Sequence, residues 1–192
     1  PASMAAQWTR ETFRQVAQSR PMWQVPQAHH WGNYARDEAE KKKGHTPTYD
    51  EKRSMAWQCI CEGATGLVFY SWYDLKRNPD VPFETQWNDL KRIAAEIDRA
   101  APALLSLDPA LPVQVPGEPS WLHWLARAYQ DKLYLFAVND GDGEGPVAFD
   151  VGGPIQSLRE LTENRTLKPG GRSRFHDELP RLGLRIYEIV LK

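Results

Sequence analysis

Gln27, His29, His30, Trp31 and Tyr34 fall within eight consecutive residues and mix flat rings with uncharged hydrogen-bonding groups. Amides and imidazoles bond polar edges without a charge that would perturb a neighbouring acid, while indole and phenol rings stack on flat apolar faces. Trp72 and Tyr73, beside Asp74, repeat the theme further along the chain. The chemistry offered is recognition of a ligand with an apolar face and polar rim; the alternative is a loop that merely packs on itself. A zinc reading of His29 and His30 fails, because adjacent residues rarely converge on one ion and no third ligand has suitable spacing. Neither a metal nor a cofactor is expected.

Acids for catalysis are harder to place. Asp37, Glu38 and Asp74 are loop acids without independent support. Glu51 stands three residues after Thr48, the spacing of a capping box, in which each side chain satisfies the other's backbone N–H. That gives Glu51 a structural role, so the catalytic residues are left unassigned. Asp140, Asp142 and Glu144 match the first half of a calcium loop, but the twelfth position falls on Val151 rather than an acid. Asn164-Arg165-Thr166 is a glycosylation sequon by letter only. Cys59 and Cys61 are two apart, which on a helix neither pairs them nor lets them share a metal.

These residues are carried by two patterns that change near residue 106. Before it, helical periods at 4–19, 48–62 and 83–101 alternate with short apolar runs at 22–27 (MWQVPQ) and 66–72 (GLVFYSW). The second run reads as a parallel strand buried on both faces. Residues 28–46 read as a polar loop, with Gly63 as a helix stop. Met55, Ala56, Cys59 and Ile60 form one buried stripe; Phe83, Trp87, Leu90, Ala94 and Ile97 form another, ending near Pro102. After residue 106, strands are expected near 111–115, 121–129, 132–138, 146–151, 155–161, 172–176 and 183–191, with a hairpin at 139–143. The fold class is α/β plus all-β, the latter suiting an antiparallel sandwich.

Residues 21–27 (PMWQVPQ), 47–53 (PTYDEKR) and 63–72 (GATGLVFYSW) together resemble a recurrent stretch of (β/α)8-barrel glycoside hydrolases. The resemblance implies the seventh strand, seventh helix and eighth strand of a TIM barrel, with the closing helix at 83–101. Residues 1–106 would be the C-terminal quarter of the barrel and 107–192 a C-terminal β-sandwich domain. Active sites of such barrels lie at the C-terminal strand ends, here Gln27 to Tyr34 and Trp72 to Asp74. Strand parity puts Trp23, Val25 and Gln27 on one face, and Val68, Tyr70 and Trp72 on one face of the next strand. Trp72 is similar to the tryptophan that floors a sugar subsite, behind a cis Ser71–Trp72 bond. Where the commonest members carry a nucleophilic glutamate, this chain has Gln27, so a catalytic pair is expected outside it.

The implied partners are a carbohydrate and the rest of the barrel, supplied by the N-terminal part of the same protein or by a second polypeptide. Two parallel strands alone leave open edges. The alternative function is a non-catalytic carbohydrate-binding or scaffolding protein. A net charge of −1 argues against nucleic acid, which needs a basic face. The run Lys41–Lys43 follows Asp37, Glu38 and Glu40 and is read as a neutralised loop. No apolar stretch nears the roughly 20 residues of a membrane span. A short polar leader is read at the start rather than a secretory signal, while the resemblance tilts towards a secreted or periplasmic setting.

Overall fold

A computed structural model describes residues 2–16 and 20–192, in two units, Pro1–Ile97 and Asp98–Lys192. The first unit opens with helix α1 (Met4–Gln15); residues 17–19, the end of the helix expected from sequence, lie outside the described residues. Strand β1 (Trp23–Gln24), a 3-10 helix (Trp31–Tyr34), α2 (Glu38–Lys43) and α3 (Tyr49–Cys61) follow. Then come β2 (Gly66–Leu67), α4 (Trp72–Arg77) and α5 (Phe83–Leu104).

The two strands pair in parallel, Trp23 opposite Gly66 and Gln24 opposite Leu67, with one further bridge from Gln27 to Tyr70. Both are shorter than the sequence suggests, for local reasons. Pro26 has no N–H to give the ladder, so pairing breaks beside it. Ser71 Oγ accepts the Asp74 N–H at 3.2 Å and starts a new helix, which moves Trp72 from a strand end into the first turn of α4. The cis peptide bond is Tyr70–Ser71, one residue before the expected one.

Nor are the strands covered on both faces. Met22 and Pro26 are buried, and Leu67 and Phe69 pack on a core of Ala28, Ala56, Leu75, Leu90 and Ile93. Trp23, Val25, Val68 and Tyr70 point the other way and are 69%, 57%, 42% and 52% exposed. The period-two alternation of a strand sorts them, and α3, α4 and α5 pack on the side of Leu67 and Phe69.

Helix α3 begins with the expected capping box: Thr48 Oγ1 accepts the Glu51 N–H, and the Glu51 carboxylate accepts the Thr48 N–H at 2.8 Å. It ends in a Schellman turn, Ala64 N–H to Cys59 O at 2.9 Å, with Gly63 at φ +100°. The expected stripe is buried, but so are Lys52, Ser54, Trp57 and Gln58, because α3 is gripped from two sides. Gln58 Oε1 accepts the Ala6 N–H from α1, and Thr9 Oγ1 donates to Cys59 Sγ. On the other side Arg53 and Trp57 Nε1 both reach Glu96 of α5, and Lys52 Nζ lies 2.8 Å from Asp89. Neither Cys59 nor Cys61 forms a disulfide among the described residues.

On α5 the buried positions include Gln86, Leu90 and Ile93, whereas Ala94 and Trp87 are exposed, so the stripe is rotated from the expected one. The helix passes Pro102 and stops at Leu104, since a proline removes one donor without forbidding the last turn. The expected loop 28–46 holds α2, capped by Asp37, whose carboxylate accepts the Glu40 N–H. Lys41 and Lys43 pair with Glu38 and Glu40 at 2.6 Å, so the basic run is neutralised on a helix rather than in a loop.

The second unit takes in the end of α5 and then only strands: β3 (Leu122–Tyr129), β4 (Lys132–Asn139), β5 (Gly145–Asp150), β6 (Ile155–Glu160), β7 (Arg165–Thr166), β8 (Arg174–Leu179) and β9 (Leu184–Leu191). A five-stranded antiparallel sheet runs β3-β4-β9-β6-β7, and β5 pairs with β8. Leu135, Tyr187 and Ile189 of the first sheet share one core with Val147, Phe149, Phe175 and Leu179 of the second. The expected strand 111–115 reduces to a single bridge, Gln114 to Asp150. The expected hairpin at 139–143 is instead a crossover between sheets. Asn139 holds it, accepting the Gly141 N–H and donating to Gly143 O and Leu179 O, which turns the chain out of β4's sheet.

Candidate functional site

Beyond the end of β1, Gln27 Nε2 donates to His29 O at 2.9 Å and shapes the start of the following loop. His29 is then held by its surroundings. Its Nδ1 lies 3.2 Å from Tyr70 O, and its ring meets Trp31 (6.3 Å, 21°), Tyr34 (5.1 Å, 80°) and Tyr70 (6.3 Å, 87°). Edge-to-face and offset geometries of this kind are the favourable ones for aromatic pairs.

His30 turns into the protein. Its N–H donates to Asn78 Oδ1 at 2.7 Å, and its Nδ1 accepts the Gly32 N–H at 3.0 Å, capping the 3-10 helix that carries Trp31 and Tyr34. The fit leaves no room for a side chain at residue 32: a Cβ there would stand 2.5 Å from Lys41 O and 2.7 Å from the imidazole.

Tyr34 Oη donates to Asp74 Oδ2 at 2.7 Å, and Ser71 Oγ donates to the same oxygen at 2.5 Å. Asp74 is almost fully buried, which pushes its carboxyl up; the Ser71 and Tyr34 hydroxyls, with His29 and Arg77, outweigh that and hold it below the usual carboxylate range. The same hydrogen bond to Asp74 raises the Tyr34 phenol well above its ordinary value.

A cavity of about 590 Å³ opens beside these groups. Gln27, His29 and Trp31 line it, together with Tyr70 from the second strand end and Trp8 from α1. Its carboxylate is Glu51, already engaged by the Thr48 N–H and by His45 Nε2 at 3.2 Å. Burial pushes the Glu51 carboxyl up, but those two partners prevail and leave it below its ordinary 4.5. An ionised carboxylate can accept a hydroxyl or act as a base; it is not an acid at neutral pH.

The structure brings together only part of the expected site. His30 and Tyr34 support the loop from behind. Trp72 is 55% exposed but packs edge-on to Phe83 (5.9 Å, 83°), with Lys76 Nζ 3.7 Å over its ring. Tyr73 lies under the Arg77 guanidinium at 5.5 Å. Neither borders the cavity, whose aromatic wall from this strand is Tyr70. Strand parity already placed Tyr70 on the same face as Trp72; Ser71 as a helix cap was the signal that the strand would end one residue sooner. Nothing in the spacing singled out Trp8.

No protein-family model and no curated protein matches the chain. Among solved structures it is similar to an Anoxybacillus α-amylase (TM-score 0.61, 12% identity, 98% of this chain and 45% of that one). It is also similar to an α-amylase from Geobacillus thermoleovorans complexed with acarbose (0.57, 13%, 90% and 39%). A third is a GH27 β-L-arabinopyranosidase from Geobacillus stearothermophilus in complex with arabinose (0.51, 13%, 97% and 43%). The chain thus spans less than half the length of each of these glycoside hydrolases, and at such identities the likeness is one of fold.

Proposed function

We propose that this chain is the C-terminal portion of a glycoside hydrolase-like protein acting on a carbohydrate, and that it contributes substrate contacts rather than the full catalytic apparatus. Residues 1–106 would be the last quarter of a TIM barrel and residues 107–192 an accessory β-sandwich. The observation that carries the reading is that Gln27, His29, Trp31 and Tyr70 lie together at the C-terminal ends of two parallel strands, on a cavity that also runs along β1 towards α1 and α3. That is where barrel enzymes keep their chemistry. A pyranose offers C–H groups to the rings and hydroxyls to the amide and imidazole. The exposed face of Trp23, Val25, Val68 and Tyr70 supports further barrel strands, from the upstream part of the same protein or from a second polypeptide.

A second reading, a non-catalytic carbohydrate-binding or scaffolding protein, is favoured by one residue. Gln27 stands where the family resemblance implies a nucleophilic acid, and an amide cannot serve as that nucleophile. Glycoside hydrolysis takes two carboxylates roughly 5 to 9.5 Å apart, whereas the cavity wall offers Glu51. Calorimetric titration of the protein with acarbose and with arabinose tests the shared core of both readings. Saturable binding that Trp31→Ala weakens is expected; no binding of any sugar across a panel of neutral oligosaccharides would overturn it.

A further inference from the structure

Asp74 is the buried hub of the site, although it does not border the cavity. One of its oxygens, Oδ2, takes hydroxyls from two directions: Tyr34 from the loop after β1 and Ser71 from the turn into α4. The other, Oδ1, is buried with no hydrogen bond, and its nearest cation is Arg77 Nη1 at 3.7 Å. A buried carboxylate that is only half satisfied is costly, so the two hydroxyl bonds that sustain it are strong and short. Tyr34 is therefore fixed at its tip. Its ring in turn meets the His29 ring edge-to-face at 5.1 Å, and His29 stacks beside Trp31 at 6.3 Å. Both of those side chains line the cavity.

We propose that Asp74 is a positioning residue for the ligand site, acting through Tyr34 to hold the His29 and Trp31 rings in the orientation that receives a sugar. The ligand class rests on the carbohydrate reading above; the mechanical linkage does not. The loop has a second, separate tie, because Asn78 Oδ1 accepts both the His30 N–H and Asn33 Nδ2. Cutting the Asp74–Tyr34 bond thus frees the ring cluster without releasing the loop.

The test compares the full chain with Asp74→Ala, Tyr34→Phe and the double variant. Two readouts are taken: proton NMR signals of the His29 ring and Trp31 indole without ligand, and calorimetric affinity for acarbose. Tyr34→Phe keeps the ring and deletes only the hydroxyl, so it decides the question even if Asp74→Ala fails to fold. Each single change should shift both sets of signals and weaken acarbose binding about tenfold, with the double variant no worse than either single. Unchanged signals in Tyr34→Phe, or losses that simply add, would overturn the proposal. If the parent chain binds no sugar, the carbohydrate reading fails while the ligand-free signals still decide the role of Asp74.

Discussion

The imidazole of His30 accepts the Gly32 N–H on Nδ1 at 3.0 Å, doing for the 3-10 helix Trp31–Tyr34 what a serine or aspartate does at most helix starts. The bond needs a lone pair on Nδ1, so the ring serves as an acceptor there. His30→Ala should cost about 1 kcal/mol, the usual worth of a cap. His30→Asn, which offers an acceptor at similar reach, should recover most of it. Urea unfolding of the three proteins checks the order; an alanine variant as stable as the parent would remove the cap from the account.

A second cap makes a pH prediction. Thr48→Ala should lose about 1 kcal/mol, and Glu51→Gln less, since glutamine still reaches the Thr48 N–H. The Glu51 carboxyl sits below its ordinary 4.5 in the folded chain. The unfolded chain therefore binds the proton more readily, and stability rises with pH. The Glu51 contribution is complete above about pH 4.5 and is lost as the pH falls through its lowered folded value. In Glu51→Gln the acid limb of the stability curve should flatten.

Much of this was readable from the residues. The capping box at Thr48 and Glu51, the Gly63 stop and the antiparallel strands of the second unit follow from local rules, and most of those strands are observed within a few residues. What failed needed partners distant in sequence. A hairpin and a crossover share the composition of residues 139–143, and what makes it a crossover involves distant partners such as Leu179 O, which accepts from Asn139. Likewise the loop residues His30 and Tyr34 look like ligands until Gly32, Asn78 and Asp74 are placed around them. Lys52 is the clearest case: no sequence rule buries a lysine without knowing that Asp89 lies across the helix.

That pair sets a third prediction. Lys52 is 1% exposed and Asp89 accepts its ammonium at 2.8 Å. Asp89→Asn strands a buried charge and should cost about 3 kcal/mol or more, whereas Lys52→Met fills similar volume without a charge and should be close to neutral. Equal losses in the two variants, measured by urea unfolding, would mean that packing rather than desolvation dominates.

The uncovered strand face should govern how the chain behaves alone. Trp23, Val25, Val68 and Tyr70 form a mostly apolar strip beside strand edges that invite pairing. Analytical ultracentrifugation should show concentration-dependent association, reduced by Val25→Glu together with Val68→Lys. A monodisperse, cooperatively melting 22.0 kDa monomer would mean that the strip needs no cover.

The last prediction separates the cavity from the strand-end platform as the place where sugar binds. Trp31 and Tyr70 border the cavity, while Trp72 has Lys76 over one face and Phe83 against its edge. A ring stacked on a sugar is worth on the order of 1 to 1.5 kcal/mol, or about tenfold in affinity. If the cavity is the site, Trp31→Ala and Tyr70→Ala should each weaken binding about tenfold, and Trp72→Ala should change it less than threefold. The reverse pattern would move the sugar to Trp72. Turnover then tests Glu51 in the assembled protein. If Glu51 only caps α3, Glu51→Gln should leave the rate within a few-fold of the parent. A folded Glu51→Gln protein that loses more than about a thousandfold, near 4 kcal/mol in the barrier, would place that carboxylate in the mechanism.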